Sequence, residues 1–334
     1  MAHLLRSLAS SAFGAAAQLA GVGATPHALT AGQAVKLSAV VIAAFNTVGF
    51  GTTAVTQSHK VTDLTGTSAF IASAWFTHAA ACRAHGLALL APSRSLLLAG
   101  CVTLWGVRLA GYLFYRVLKL GKDARLSQFF PKDAREPFLT GQSMYPVKLA
   151  GFWTAQSLWG WVVLLPIIVA QAVAPAAPLG VFGWAALGGF LTGFAMETVA
   201  DAQKFAYKNK HPDRFVREGL FRYCRHPNYF GEMLLWTSLT ALAGGPGVLA
   251  AYPWVAVSPA FTIFLLTQAS GIPPLEEAHN RRYGSDLAYQ AYRRHTNLLL
   301  PWPPSQGFGG QLECKYSSLG SWIMCTLGAA VLHL

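Results

Sequence analysis

Leu149-Ala-Gly-Phe-Trp-Thr-Ala-Gln-Ser-Leu-Trp-Gly-Trp-Val-Val-Leu-Leu-Pro-Ile-Ile-Val-Ala-Gln-Ala-Val173 runs without one charged side chain. About 20 mostly apolar residues suffice for a helix to cross a bilayer, so this stretch reads as a membrane span. Pro166 is no obstacle, because neighbouring helices re-satisfy the backbone groups that a proline frees. Six further stretches read the same way: roughly 33–56, 66–84, 94–118, 178–200, 229–249 and 251–270. Between them, Ala174-Pro175-Ala176-Ala177-Pro178 and Gly244-Gly245-Pro246-Gly247 read as tight turns joining antiparallel helices. The expected fold class is all-α, a polytopic membrane helix bundle of about seven transmembrane helices.

Composition agrees with that reading. Of the 334 residues 53% are hydrophobic and only 11% charged, whereas a soluble domain carries about 25% charged residues. Too little charge remains to cover a water-facing globule, so lipid must take part of the surface. The bundle is expected over 31–303, with tails at 1–30 and 304–334. Residues 1–30 contain Arg6, several Ser and Ala, and no Asp or Glu, which fits either an organelle transit peptide or a small-residue tail.

Seven spans put the loops alternately on two sides. On one side fall 20 of the 25 Lys and Arg residues, on the other only Arg6, Lys36, Arg83 and Arg94, and Arg108 lies inside the third span. This is a strong positive-inside asymmetry. It directs the basic loops to the cytosol, or to the stroma or matrix, of an endoplasmic-reticulum or other organelle membrane. It also accounts for the net charge of +12 without nucleic acid as a partner. Cys82, Cys101, Cys224, Cys314 and Cys325 form no metal-ligand spacing and read as free thiols, so no metal is expected.

Three polar clusters fall on the basic side. Glu197 and Asp201 are four residues apart, and Lys204 and Lys208 follow on much the same helical face. The bland reading of that face is a helix end with i,i+4 ion pairs. Next comes Gly219-Leu-Phe-Arg-Tyr-Cys-Arg-His-Pro-Asn-Tyr-Phe-Gly-Glu232. Pro227 suits the first turn of a helix, which places Asn228 and Glu232 on one face. Tyr229 and Phe230 fit an aromatic belt, but a carboxylate entering a span usually faces a polar cavity. Arg222, Arg225 and His226 add positive charge suited to phosphate oxygens. The third cluster is Glu276-Glu277-Ala-His279-Asn-Arg281-Arg282-Tyr283-Gly, followed by Tyr289, Tyr292 and Leu298-Leu-Leu-Pro301-Trp302-Pro303.

Arg225-His-Pro-Asn-Tyr-Phe-Gly-Glu232, together with Arg281-Arg-Tyr-Gly, the two spaced tyrosines and Leu-Pro-Trp, resembles the steroid 5-alpha-reductase-like superfamily, in particular its poorly characterised branch. Leu104-Trp-Gly-Val-Arg108-Leu-Ala-Gly-Tyr112, Tyr115-Arg116, Gly121-Lys-Asp123 and Ser270-Gly-Ile-Pro273 fit that branch too. The resemblance covers about residues 60–303. It implies a seven-helix bundle with NADPH in a polar cavity closed by the later loops, reducing an activated carbon–carbon double bond of a lipid. It maps cofactor contacts onto Asn228 and Glu232, an acidic contact onto Asp201, basic contacts onto Lys208 and Arg214, and a last-loop pair onto His279 and Tyr283. Arg225 and His226 join that expected cofactor set.

A soluble dinucleotide domain is not the vehicle, because Gly21-Val-Gly23 lacks the strand–loop–helix context of a Rossmann fingerprint. Reduction of an enone also needs a proton source near the substrate, and Asp63 and Tyr112 are the catalytic candidates, with Tyr115 beside them. The glutamate that steroid reductases carry on an early helix has no clear counterpart here, so the expected substrate is a sterol-like or isoprenoid lipid rather than a steroid. Two other functions compete. One is an S-adenosylmethionine-dependent membrane methyltransferase of the isoprenylcysteine or phospholipid type, whose motifs are similar. The other is a non-catalytic membrane protein. The basic loop Lys204–Arg217 favours a cofactor with a 2′-phosphate over one with no phosphate, and charge gathered at one mouth disfavours a conduction path.

Overall fold

The computed structural model describes residues 28–120 and 143–303 and, between them, 126, 128–131, 137, 139 and 140. Most of the 1–30 tail, all of the 304–334 tail and the Gly121-Lys-Asp123 motif lie outside the described residues. Among the described residues the structure is helical, with no strand beyond one isolated bridge between Cys224 and Asn297. The all-α expectation holds.

The helices are α1 (Ala31–Thr56), α2 (Thr62–His85), α3 (Arg94–Leu120), α4 (Val147–Val173), α5 (Gly180–Lys210), α6 (Pro227–Ala251), α7 (Val257–Phe264), α8 (Ile272–Tyr283) and α9 (Leu287–His295). Short 3-10 turns at Gly219–Arg222 and Pro253–Ala256 and a π turn at Leu265–Ala269 link the later ones. Local chemistry explains the starts and stops. Thr30 and Gln33 form a reciprocal capping box at the head of α1. At the end of α2, Gly86 takes φ 65° and its N–H reaches the Cys82 carbonyl.

Among the described residues four stretches are long and apolar enough to cross a membrane: Ala31–Thr56, Arg94–Lys119, Val147–Val173 and Pro253–Tyr283. Helices α2, α5 and α6 have 24, 31 and 25 residues. The four apolar stretches fit a helical membrane bundle, and the expected seven rests on the seven apolar stretches of the sequence and the charge asymmetry of their loops.

At the expected Gly244–Gly247 linker the helix is broken: Gly245 takes φ 54° and ψ −153°, and a second helical stretch follows it to Ala251. The resumed helix is held by packing, because Val248 joins Val169 and Val255 in a buried cluster. A second break comes at Tyr252, ahead of Pro253.

The chain groups into two compact units. The first runs to Phe190 and includes Trp236–Thr262. In it α1 packs on α2 and α4, and α2 also packs on α3 and α4. Its centre is aromatic: the Phe70 ring lies 4.8 Å from Trp159 and 5.1 Å from Trp105, which meets Trp236 edge-on at 4.8 Å. Buried polar groups cross-link the helices. Ser38 and Ser73 hydroxyls are 2.8 Å apart, and His78 Nδ1 is 2.7 Å from Ser95 Oγ. Gln171 Nε2 donates to the Ser95 carbonyl at 3.2 Å. Such bonds suit helix contacts in lipid, where apolar packing has no water to exclude.

The second unit comprises Leu191–Leu235 and the described residues from Ile263 to Pro303. There the α5 and α6 backbones touch. A Cβ on Gly193 would come within 2.6 Å of the Gly231 carbonyl, and one on Gly231 within 2.7 Å of the Glu197 amide nitrogen. Only glycine permits this approach.

Candidate functional site

Every cofactor contact expected from the sequence falls in the second unit: Asp201, Lys208, Arg214, Arg225, His226, Asn228, Glu232, His279 and Tyr283. Helix α5 continues about three turns past its apolar part, so Glu197, Asp201, Lys204 and Lys208 share one face. The Gly193–Gly231 contact brings that face to the first turns of α6. Asn228 Nδ2 lies 3.4 Å from Asp201 Oδ1. Asp201 and Glu197 are buried, and Glu232, one turn after Asn228, is half-buried.

A second group forms around Glu276 on α8. Its carboxylate accepts from Arg225 Nη1 at 2.7 Å and from His226 Nε2 at 2.8 Å, and Arg293 Nε is 3.8 Å away. The Arg225 side chain is only 9% exposed, and its Nε has no hydrogen-bond partner among the described residues. A carboxylate can only accept here, so neutral His226 carries its proton on Nε2. The His226 ring also stacks on Tyr229 at 5.7 Å and 14°.

The backbone reinforces this pairing. Arg225 N–H donates to the Asn297 carbonyl at 2.8 Å, His226 N–H to Leu298 at 3.1 Å and Trp302 N–H to Tyr223 at 3.3 Å. The Tyr292 hydroxyl donates to the Phe221 carbonyl at 2.7 Å. The segment after α9 is thereby clasped to the Arg-His-Pro-Asn motif. Burial pushes the Cys224 thiol, inside the clasp, up to about 12; it is an inert thiol.

Lys208 is held by the protein itself. Its ammonium donates to Tyr283 Oη at 2.8 Å, to the Arg214 carbonyl at 2.5 Å and to the Pro212 carbonyl at 3.5 Å, and it lies 5.3 Å from the Tyr283 ring centre. Three donors meet three protein acceptors, so Lys208 is a strut fixing the 212–214 turn on Tyr283. Arg214, which that turn presents, is exposed. Phe215 packs against Tyr283, Tyr289 and Tyr292 beneath it. His279 is half-buried, its ring 5.9 Å from that of Tyr283.

Asp63 and Tyr112, the expected catalytic pair, belong to the first unit. Asp63 sits half-buried in the first turn of α2. Tyr112 is on α3, with Arg108 5.7 Å and Arg116 5.9 Å from its ring centre. Sequence reasoning left Glu276 out of the site, although α8 shows why it turns inward. Ile272, Glu276, His279 and Tyr283 follow a helical stripe, whereas Glu277 pairs with Arg281 on the exposed side at 3.2 Å. Among the described residues no group of three or more His, Cys, Asp or Glu could hold a metal ion.

The buried imidazole makes stability depend on pH. Burial lowers the His226 pKa, outweighing the hydrogen bond and charge of Glu276, and Lys204 and Arg225 act in the same direction as burial. The unfolded chain takes up a proton near pH 6.5 that the folded chain resists. This contribution is therefore complete above about pH 6.5 and lost as pH falls towards the lower folded value. Thermal unfolding midpoints should drop on acidification from about pH 7.5 to about pH 5.5, and His226→Gln, which can still donate to Glu276, should flatten that slope. An identical slope in the variant removes His226 as its source.

Comparison with known proteins bears on these residues. A sequence family described as "Protein of unknown function (DUF1295)" matches residues 49–296. An uncharacterised protein of Schizosaccharomyces pombe, C594.04c, is 28% identical over 176 residues, covering 45% of this chain. The match spans 48% of that relative, about half its length. No solved structure matches the chain. The family match takes in both polar groups, from α5 to the end of α9, and extends over most of the bundle: the chain belongs to the DUF1295 family of proteins of unknown function.

Proposed function

We propose that the chain is an NADPH-dependent membrane oxidoreductase of the steroid 5-alpha-reductase-like type, reducing a carbon–carbon double bond in a sterol-like or isoprenoid lipid. The observation that carries the reading is the meeting of Asp201 and Asn228 at 3.4 Å on two helices in backbone contact, on the same α5 face as Lys204. The donor set suits a phosphate-rich dinucleotide. Exposed Arg214 and half-buried Lys204 would neutralise phosphate oxygens. Asp201, Asn228 and Glu232 would hydrogen-bond the sugar and carboxamide ends. When bound, the cofactor would supply a hydride.

The protein's remaining work is to hold and protonate. Glu276 fixes Arg225 and His226 at the head of α6, and Lys208 fixes the turn bearing Arg214. The α8–α9 segment, clasped to that head, would help exclude water. The proton that completes reduction would come from a carboxylic acid or a phenol, the groups carried by the catalytic candidates Asp63 and Tyr112. The membrane would be that of the endoplasmic reticulum or another organelle, with the basic loops on the cytosolic, stromal or matrix side.

Ligand-dependent thermal stability of the purified full chain tests this reading. A ligand at a hundredfold excess over its Kd stabilises by about 2.7 kcal/mol. NADPH should raise the unfolding midpoint, NADH should raise it less, and S-adenosylmethionine should leave it unchanged. Stabilisation by S-adenosylmethionine without NADPH would make the chain a methyltransferase instead.

A further inference from the structure

Unit two carries an exposed aromatic patch that the cofactor reading does not use. Trp302 is 63% exposed, Leu300 46% and Tyr223 41%. The Trp302 N–H bond to the Tyr223 carbonyl makes these two segments neighbours. Exposed Arg222 adjoins Tyr223, and exposed Pro301 and Pro303 flank Trp302. The backbone there is not loose: Leu299 is buried with Met233 and Ile272, so Leu300 is turned outward by a fixed neighbour.

Its level is set by α6. Tyr223 lies four residues before Pro227, where α6 and its apolar run begin. The polar headgroup layer on each side of a bilayer is about 5–8 Å deep, which is the depth of such a short lead-in. Tryptophan and tyrosine favour that layer, and an arginine beside them favours anionic headgroups.

We propose that Tyr223, Leu300 and Trp302, with Arg222, form an interfacial anchor that seats the clasp of the second unit in the headgroup layer of a bilayer containing anionic lipid. The partner is the membrane surface itself, chosen over a protein by continuity with the α6 entry and by the arginine at the patch edge.

Spin labels read the seating directly. The full chain, with Cys314 and Cys325 changed to Ser, would be labelled through Trp302→Cys or, as a water-exposed reference, Asp213→Cys, whose side chain is 89% exposed. Each would be reconstituted in phosphatidylcholine vesicles with and without phosphatidylserine. Collisions with oxygen, which partitions into lipid, would be compared with collisions with a water-soluble nickel chelate. The oxygen-to-nickel ratio should be severalfold higher at 302 than at 213. It should rise further with phosphatidylserine, and Arg222→Gln should cancel that rise. Equal ratios at the two positions, as a protein-binding patch in water would give, overturn the proposal. So does a ratio at 302 that ignores phosphatidylserine.

Discussion

Glu276→Ala should destabilise the second unit by about 3–5 kcal/mol, the cost of removing one partner from a buried ion pair. The arginine at 225 would then be left almost fully buried with its charge uncompensated, and His226 would lose the acceptor on Nε2. The loss should not stay local, because Arg225 and His226 also carry the backbone bonds to Asn297 and Leu298. Glu277→Ala is the internal control. Its pair with Arg281 is solvated on both sides, and such pairs contribute little. Replacing both buried partners, as Arg225→Met with Glu276→Leu, should cost less than Glu276→Ala alone, since no orphaned charge remains. Chemical denaturation of the four proteins in one detergent checks the order. Equal midpoints for Glu276→Ala and Glu277→Ala would show that the Glu276 cluster holds nothing.

Gly231→Ala should separate binding from folding. The added methyl would meet the Glu197 amide nitrogen and the Gly193 carbonyl oxygen, both at 2.7 Å. Both are backbone atoms and cannot swing aside, so α5 and α6 must move apart. Overpacking of this kind costs about 1–3 kcal/mol, which a helical bundle can survive. Asp201 and Asn228, already at 3.4 Å, have no slack to follow. Stabilisation by NADPH should therefore vanish in a protein that still inserts and folds. Gly100→Ala, where the new methyl meets nothing within 4 Å, should keep the response and gain up to about 1 kcal/mol of helix propensity. An undiminished NADPH response in Gly231→Ala would mean that the α5–α6 contact does not position the site.

Much of this arrangement was legible before the structure. Residues 149–173 announce α4 through an apolar run too long for anything but a membrane or a large core, and α4 spans Val147–Val173. The i,i+4 spacings on α5 and α6 were readable because helical periodicity is local. What escaped was non-local or conformational. Gly245 breaks the helix where the sequence places a linker, but the short helical stretch after it, packed through Val248, is not marked in the sequence. Glu276 and Glu277 are indistinguishable as letters until the inward stripe from Ile272 to Tyr283 is drawn. The clasp of 223–226 on 297–302 joins two irregular segments far apart in the chain, and no periodicity marks it. Lys208 was legible as a basic residue on the α5 face, but its three acceptors, the Tyr283 hydroxyl and the Pro212 and Arg214 carbonyls, come from segments that no local pattern links to it.

In the proposed function, the second unit binds a reduced nicotinamide dinucleotide through the Asp201–Asn228–Glu232 group. Titrating NADPH against the wild-type chain and Glu232→Gln, side by side, measures it most directly. The substitution keeps the size of the side chain and removes its charge, so insertion and the unliganded unfolding midpoint should hardly change. NADPH should stabilise the wild type and fail to stabilise the variant. Equal stabilisation of both would remove Glu232 from the site, and no response of the wild type to NADPH would contradict the claim itself.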